Sequence, residues 1–236
     1  MADLSKYPST PSFTPTPRFL SLVSSFRSLH LSDPTASSLT YHTTLEAYSR
    51  QLCQLSLALF PSAHQILHQG PSEALLISSN AQHVQRWLSP RNTYPDGLAG
   101  YKRWRTNLNR FHATVAREEM RKCGYLEERD KQLFDRVEVL LIKKTLARPP
   151  LPQKLEELKD PEMHLFEDAI CLTFLSTQYT QFAETMMDEE EDTEKLVKIT
   201  KKTWDKMTRL GRHVAAEELV GGLDDRLKEV VLRAIS

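Results

Sequence analysis

Apolar residues recur every three or four positions between prolines, and this spacing most strongly limits the folds open to the chain. One segment that follows it carries Leu45, Tyr48, Leu52, Leu55 and Leu59. Such spacing is typical of a helix with one apolar face. No run alternates apolar and polar residues over the length of a strand, and no Asn-Gly or Asp-Gly turn joins two such runs. The sequence therefore predicts an all-α fold.

Prolines and glycines divide the chain into about eight predicted helices. Pro61 and Pro90 each end a periodic segment, and Gly124 suits the residue that follows a helix end. The approximate helical ranges are 18–30, 35–60, 71–88, 101–123, 126–147, 160–187, 195–220 and 223–235. Residues 1–17 are rich in Pro, Ser and Thr, which favours a disordered tail. We expect one compact helical domain over residues 18–236.

Charge and cysteine content restrict the class of protein. The 236 residues carry a formal net charge of zero, so no whole-chain field draws the molecule to nucleic acid or to an acidic membrane. No apolar run is long enough to span a bilayer, and the N-terminus lacks the apolar core of a secretory signal. The three scattered cysteines are typical of reduced thiols. We therefore expect a cytoplasmic or nuclear protein with no membrane partner.

Three polar residues within apolar helical segments form a candidate metal site. His83 lies in the segment 71–88, His112 lies on an apolar face of 101–123, and Asp168 opens the run DAICLTFL. An unpaired buried carboxylate is costly, so Asp168 needs a cation, hydrogen-bond donors or a metal. Two imidazoles and a carboxylate that converge from separate helices suit a divalent Mn, Fe, Co, Ni or Zn ion that activates water. The alternative is that the histidines are satisfied core residues and Asp168 pairs with an arginine.

Arginines and aromatic residues are concentrated around the two histidine segments. Guanidinium groups suit phosphate or carboxylate, and aromatic rings stack on nucleobases. The alternative is helix packing, with aromatic rings in the core and arginine stems covering them. The candidate ligand-binding residues are Arg86, Arg91, Arg105, Trp87, Tyr101 and Trp104.

Three long motifs carry a family resemblance over about residues 17–220. They are AQHVQRWLSPRNTYPDGLAGYKRWRTNLNRFHA, EDAICLTFL and KITKKTWDKMTRLGR. They resemble the domain-of-unknown-function 4202 family of bacteria and fungi, some members of which are labelled as similar to glutamyl-tRNA synthetase. Lys206-Met207-Thr208 is faintly similar to the KMSKS loop of class I synthetases. The chain lacks a HIGH-like element and a parallel-sheet pattern, so we do not expect synthetase activity.

The order of the motifs also resembles the HD superfamily of metal-dependent phosphohydrolases. That resemblance implies an HD-like helical fold, a divalent metal bound by His83, His112 and Asp168, and catalytic roles for Asp168 and Glu167. The superfamily has an aspartate directly after its second histidine, whereas this chain has Ala113. Glu167 or Glu46 is then the candidate to supply the replacement oxygen.

Three functions remain open from the sequence. The first is a metal-dependent phosphohydrolase that acts on a nucleotide or another phosphorylated ligand. The second is a non-catalytic domain that binds RNA or a nucleotide, and the third is a helical interaction module. The sequence contains no phosphate-binding loop, dinucleotide fingerprint or GxSxG nucleophile motif, so it predicts no enzyme of those classes.

Overall fold

The computed structural model describes residues 12–34, 38–59, 70–152, 154–186 and 190–235. Within these ranges the chain is helical and contains no β-strand, so the all-α prediction is confirmed. The chain divides into two compact units. The N-terminal unit includes Ser12–Glu46 and Pro71–Thr145, and the C-terminal unit includes Ala47–Gly70 and Leu146–Ser236. The single domain and its HD-like arrangement stay predictions, and residues 1–11 of the predicted tail lie outside the described residues.

Among the described residues, five α-helices begin in the N-terminal unit. They are α1 (Pro17–Leu31), α2 (Ser38–Leu59), α3 (Glu73–Ala81), α4 (Gly97–Lys122) and α5 (Glu127–Ile142). The boundary between the units falls within α2, after Glu46. Two short 3₁₀ turns, Arg86–Leu88 and Arg91–Thr93, lie between α3 and α4. The first long motif therefore covers this connection and continues into the first half of α4.

The N-terminal unit is built on α3, which is buried from Ala74 to Ala81. Ser72 caps this helix because its hydroxyl oxygen accepts a hydrogen bond from the Leu75 backbone N–H at 3.0 Å. Helix α1 begins in the same way, with the Thr16 hydroxyl accepting from Phe19 N–H at 3.2 Å. Both caps satisfy a backbone donor that a helix start leaves without an intrahelical partner.

The C-terminal unit contains five further helices among the described residues. They are α6 (Pro161–Thr177), α7 (Tyr179–Glu184), α8 (Glu190–Lys206), α9 (Arg209–Val214) and α10 (Asp225–Ile235). Asp160 caps α6 by accepting a hydrogen bond from Met163 N–H at 3.1 Å. Helix α6 is buried along most of its length, so both Glu167 and Asp168 lie within the core of this unit.

Several predicted helices end early, and two of these ends concern the candidate site residues. The predicted helix 71–88 ends at Ala81, since Gln82 is extended and His83 and Gln85 adopt φ values of 64° and 50°. The predicted helix 195–220 is interrupted after Lys206. There the Thr208 N–H donates to Asp168 instead of a helical carbonyl. The prediction that His83 lies in a helix was wrong, because the helix ends at Ala81.

No helix within the described ranges is both long and apolar enough to cross a bilayer.

Candidate functional site

His83 lies in the connection after α3, in a backbone conformation that few residues with a side chain adopt. Its φ of 64° and the φ of 50° at Gln85 place two non-glycine residues in the left-handed region. Residues held in this way cost roughly 1–3 kcal/mol each and cluster at functional sites. The His83 ring is half-buried, and its centroid lies 4.7 Å from the ring of Tyr41.

Four imidazoles of the N-terminal unit lie close together; we call His30, His42, His83 and His112 the histidine cluster. The rings of His30 and His42 stack, and the ring centroids of His83 and His112 are 5.8 Å apart. His30 Nε2 contacts the Asn80 carbonyl oxygen at 2.8 Å, and His42 Nε2 contacts that of Gln82. The structure therefore brings together the two histidines predicted from the sequence.

Sequence reasoning missed His30 and His42 as members of the cluster. Both are buried, although neither is part of a recognisable motif. Only the spacing of His30 could have indicated that it is buried, because His30 follows Phe26 by about one helical turn on the buried face of α1. A buried histidine on a helical face is an ambiguous signal, and only the fold shows that it faces His42.

His112 is the most enclosed member of the histidine cluster. Its side chain is 1% exposed, and neither ring nitrogen has a hydrogen-bond partner among the residues that the structure describes. Burial, with Arg86 and Arg105 nearby, lowers the pKa of His112 to about 3, so the imidazole is neutral near pH 7. A buried polar group without a partner costs about 1–3 kcal/mol, which makes this ring a candidate for contact with a ligand.

Two arginines lie beside the histidine cluster without a carboxylate partner among the described residues. Arg86 Nη1 lies 3.5 Å from His83 Nε2. Burial and then the nearby positive charge of Arg105 lower the pKa of the Arg86 guanidinium. Arg86 and Arg105 also lower the pKa of His83, after burial as the main cause. We call Arg86 and Arg105 the arginine pair.

The predicted aromatic and loop residues have different surroundings. Trp104 is buried, its Nε1 donates to the Ser89 carbonyl at 2.9 Å, and the Arg86 guanidinium carbon lies 5.3 Å from its ring centroid. Tyr101 is 47% exposed, with its ring centroid 5.9 Å from that of Trp104. Arg91 donates to the Tyr94 carbonyl at 2.9 Å within the connection. Trp87 is half-buried.

Asp168 lies in the C-terminal unit, where donors on Thr208 hold its carboxylate. The Thr208 backbone N–H donates to Oδ1 at 2.8 Å, and the Thr208 hydroxyl donates to Oδ2 at 2.5 Å. Burial raises the pKa of Asp168 to about 7 despite these hydrogen bonds. Neighbouring Glu167 is also buried, with an oxygen 3.9 Å from Lys206 Nζ. These contacts account for Asp168 without an arginine or a metal.

The structure does not group the three predicted metal ligands in one unit. His83 and His112 belong to the N-terminal unit and Asp168 to the C-terminal unit. Among the residues that the structure describes, no group of three or more His, Cys, Asp or Glu side chains is arranged to hold a metal ion. The divalent metal at His83, His112 and Asp168 therefore stays a prediction.

The C-terminal unit also contains a small apolar pocket. Its lining includes Tyr179, Trp204, Met207 and Val231, and no arginine, lysine or histidine side chain lines it. The hydroxyl groups of Tyr179 and Thr200 already bond to each other at 2.8 Å. This pocket lacks the charge that a phosphate needs, so the histidine cluster and the arginine pair are the better candidate for an anionic ligand.

Comparison with known proteins identifies the family to which these residues belong. A family model described as a domain of unknown function, DUF4202, matches residues 21–231. The chain belongs to the DUF4202 family. The DUF4202 match includes the histidine cluster, the arginine pair and the Asp168–Thr208 contact. No curated protein and no solved structure matches the chain.

Proposed function

We propose that the N-terminal unit binds a phosphorylated ligand, preferably a nucleotide, through Arg86 and Arg105. The observation that carries the proposal is that these two guanidinium groups lie near each other without a carboxylate partner among the described residues. Two neighbouring positive charges repel, and a phosphate between them relieves that repulsion. The planar guanidinium fork also matches phosphate geometry.

The histidine cluster supports an anionic ligand over a bare cation. The low pKa values of His83 and His112 keep both rings uncharged near neutral pH. The arginine pair therefore supplies the positive charge at this position, and it repels a metal ion that arrives without its anion. A phosphate group satisfies both guanidiniums and offers oxygen acceptors to the ring N–H groups.

A nucleobase fits the aromatic side of the site. Tyr101 presents its ring to solvent, whereas the Trp104 ring lies in the core beneath the Arg86 guanidinium. Tyr101 is thus the residue that stacks on a base, and Trp104 packs against the Arg86 guanidinium. Base–aromatic stacking is worth about 1–3 kcal/mol, which is enough to favour a nucleotide over inorganic phosphate.

Calorimetric titration of the full chain tests the proposal with inorganic pyrophosphate, AMP, ADP and ATP. We expect binding that weakens at least about tenfold in Arg86→Gln and in Arg105→Gln, because each variant loses a charge-assisted hydrogen bond of about 1.5–3 kcal/mol. Arg110→Gln is the matched control, since Arg110 is exposed on the same helix α4. Tyr101→Ala should weaken the binding of the nucleotides and leave the affinity for pyrophosphate unchanged.

The titration also separates the two non-catalytic alternatives. An RNA-binding domain should prefer an oligonucleotide to ADP, with an affinity that falls steeply as salt concentration rises. A helical interaction module should bind none of these probes. Equal binding by the wild type and both arginine variants would contradict the proposed site.

A divalent-metal phosphohydrolase is the second candidate function, favoured by the buried ring of His112 with its two nitrogens lacking hydrogen-bond partners. Neutral imidazole is the form of histidine that binds Zn, Mn, Fe, Co or Ni. His83 and His112 fit the role of nitrogen ligands, and a bound ion would supply Lewis-acid activation of water. The buried carboxylate of Asp168 already accepts hydrogen bonds from Thr208 within its own unit, so its burial needs no metal ion.

Elemental analysis of untagged protein tests this second function. A stoichiometric metal that is lost in His112→Ala would support it. Protein that stays metal-free after incubation with these five ions, yet binds pyrophosphate, would leave the metal-independent proposal as the better account.

A further inference from the structure

We propose that His83 is a catalytic nucleophile that accepts the phosphoryl group of the bound ligand on its Nε2 atom. This inference rests on the proposed phosphate site and adds a covalent step to it. The chain would then be a metal-independent phosphohydrolase or phosphotransferase with a phosphohistidine intermediate.

The position of His83 is the first argument. Its ring lies close to two other rings, with the centroid of Tyr41 at 4.7 Å and that of His112 at 5.8 Å. His83 and Gln85 both adopt left-handed backbone conformations, and the His83 side chain is half-buried. A strained backbone that directs a partly accessible side chain is a common feature of reactive residues.

The tautomer of His83 is the second argument. Arg86 Nη1 lies 3.5 Å from His83 Nε2. A guanidinium only donates hydrogen bonds, so this long contact favours a lone pair on Nε2 and the proton on Nδ1. The atom that carries the lone pair is therefore the one that faces Arg86, where the phosphoryl group is expected to bind.

The positive charge beside His83 is the third argument. The Arg86 guanidinium, with Nη1 3.5 Å from His83 Nε2, would stabilise the negative charge on the phosphoryl oxygens during transfer.

The step balances within the site and the ligand. His83 Nε2 forms a bond to phosphorus as the phosphorus–oxygen bond to the leaving group breaks. The leaving oxygen gains a proton equivalent to the one that the phosphorylated imidazole loses from Nδ1. Water then attacks phosphorus, the nitrogen–phosphorus bond breaks, and one water proton returns to the ring, which releases inorganic phosphate and regenerates neutral His83.

The test uses the full chain and p-nitrophenyl phosphate, a phosphomonoester whose leaving group is coloured. Samples are quenched in base, because a phosphorus–nitrogen bond to histidine survives base and is lost in acid. We expect a burst of p-nitrophenolate and an intact mass increase of one phosphoryl group, mapped to His83. His83→Asn should show neither, because asparagine tolerates the left-handed backbone but lacks the nucleophile.

His213→Asn is the matched control, since His213 is exposed in the C-terminal unit, and it should label like the wild type. Absence of label in the wild type, or label that persists in His83→Asn, would overturn the nucleophile assignment. Pyrophosphate titration keeps the two proposals distinguishable. Binding without labelling removes only the covalent step, whereas absence of both binding and labelling removes the phosphate site as well.

Discussion

The carboxylate of Asp168 accepts both a backbone and a hydroxyl hydrogen bond from Thr208, at 2.8 Å and 2.5 Å. The same Thr208 hydroxyl accepts from the backbone N–H groups of Leu210 and Gly211, and so caps α9. A Cβ at Gly211 would lie 2.5 Å from Asp168 Cγ, so only glycine allows this approach. The segment KMTRLGR therefore has a structural role in the C-terminal unit, where it closes over a buried carboxylate.

Thr208→Val should destabilise the protein by about 1–3 kcal/mol. The substitution keeps the shape of the side chain and removes both the cap of α9 and the hydroxyl donor to Asp168. Urea unfolding at pH 7 measures the change in free energy. Thr203→Val is the control, because the Thr203 hydroxyl bonds only to the Ile199 carbonyl of its own helix. An equal loss in both variants would contradict the special role of Thr208.

Asp168 should make the folded state relatively less stable as pH rises from about 4 to about 7. Its folded pKa of about 7 lies above the usual 3.8, so the folded state holds a proton that the unfolded state has released. This contribution is full below about pH 4 and is lost as pH approaches 7. Asp168→Asn should remove this pH-dependent contribution. Urea unfolding across this range should then show that stability falls less steeply with pH in the variant than in the wild type.

His112→Leu should leave stability at pH 7 unchanged or raise it, while phosphate binding weakens. Leucine fills the buried position without a polar group that lacks a partner. The folded pKa of His112 is about 3, below the unfolded value of about 6.5. As pH falls from about 6.5 to 3, the unfolded state therefore binds a proton that the folded state does not, and stability falls. As pH falls through this range, the free energy of unfolding of His112→Leu should therefore decrease by up to about 1.4 kcal/mol per pH unit less than that of the wild type.

Unfolding and pyrophosphate titration of His112→Leu decide between a ligand role and an architectural role. A large loss of stability at pH 7 with no separate effect on binding would show that His112 is only a core residue. Unchanged stability combined with weaker binding supports the site.

Arg91→Gln should lower stability by about 1 kcal/mol and reduce phosphate affinity less than Arg86→Gln does. Arg91 Nη1 donates to the Tyr94 carbonyl within the connection after α3, so part of its hydrogen-bonding capacity already serves the loop. Thermal unfolding and pyrophosphate titration of the two variants provide the comparison. A larger loss of affinity in Arg91→Gln would place the phosphate at Arg91 instead of the arginine pair.

Helical periodicity predicted the fold class because it reflects the local burial of one helix face. The segment with Leu45, Tyr48, Leu52 and Leu55 lies in α2, and those side chains are buried. The same reasoning extended α3 through His83, because apolar Val84 continues the spacing. Periodicity does not report the left-handed backbone at His83, which depends on tertiary contacts.

The candidate site was predicted in part for a similar reason. The motif density around His83 and His112 identified the connection after α3 and the face of α4. His30 and His42 have no motif, so their convergence on the same cluster needed the fold. Asp168 was recognised as a buried carboxylate, but its partner is Thr208 rather than an arginine, because a threonine supplies two donors from one residue.

The most direct test of the phosphate site is an experimental structure of the full chain with bound pyrophosphate. The account predicts a phosphate with oxygens about 2.7–2.9 Å from guanidinium nitrogens of both Arg86 and Arg105, next to His83. Pyrophosphate bound away from both arginines, for example on the lysines of α8, would contradict it.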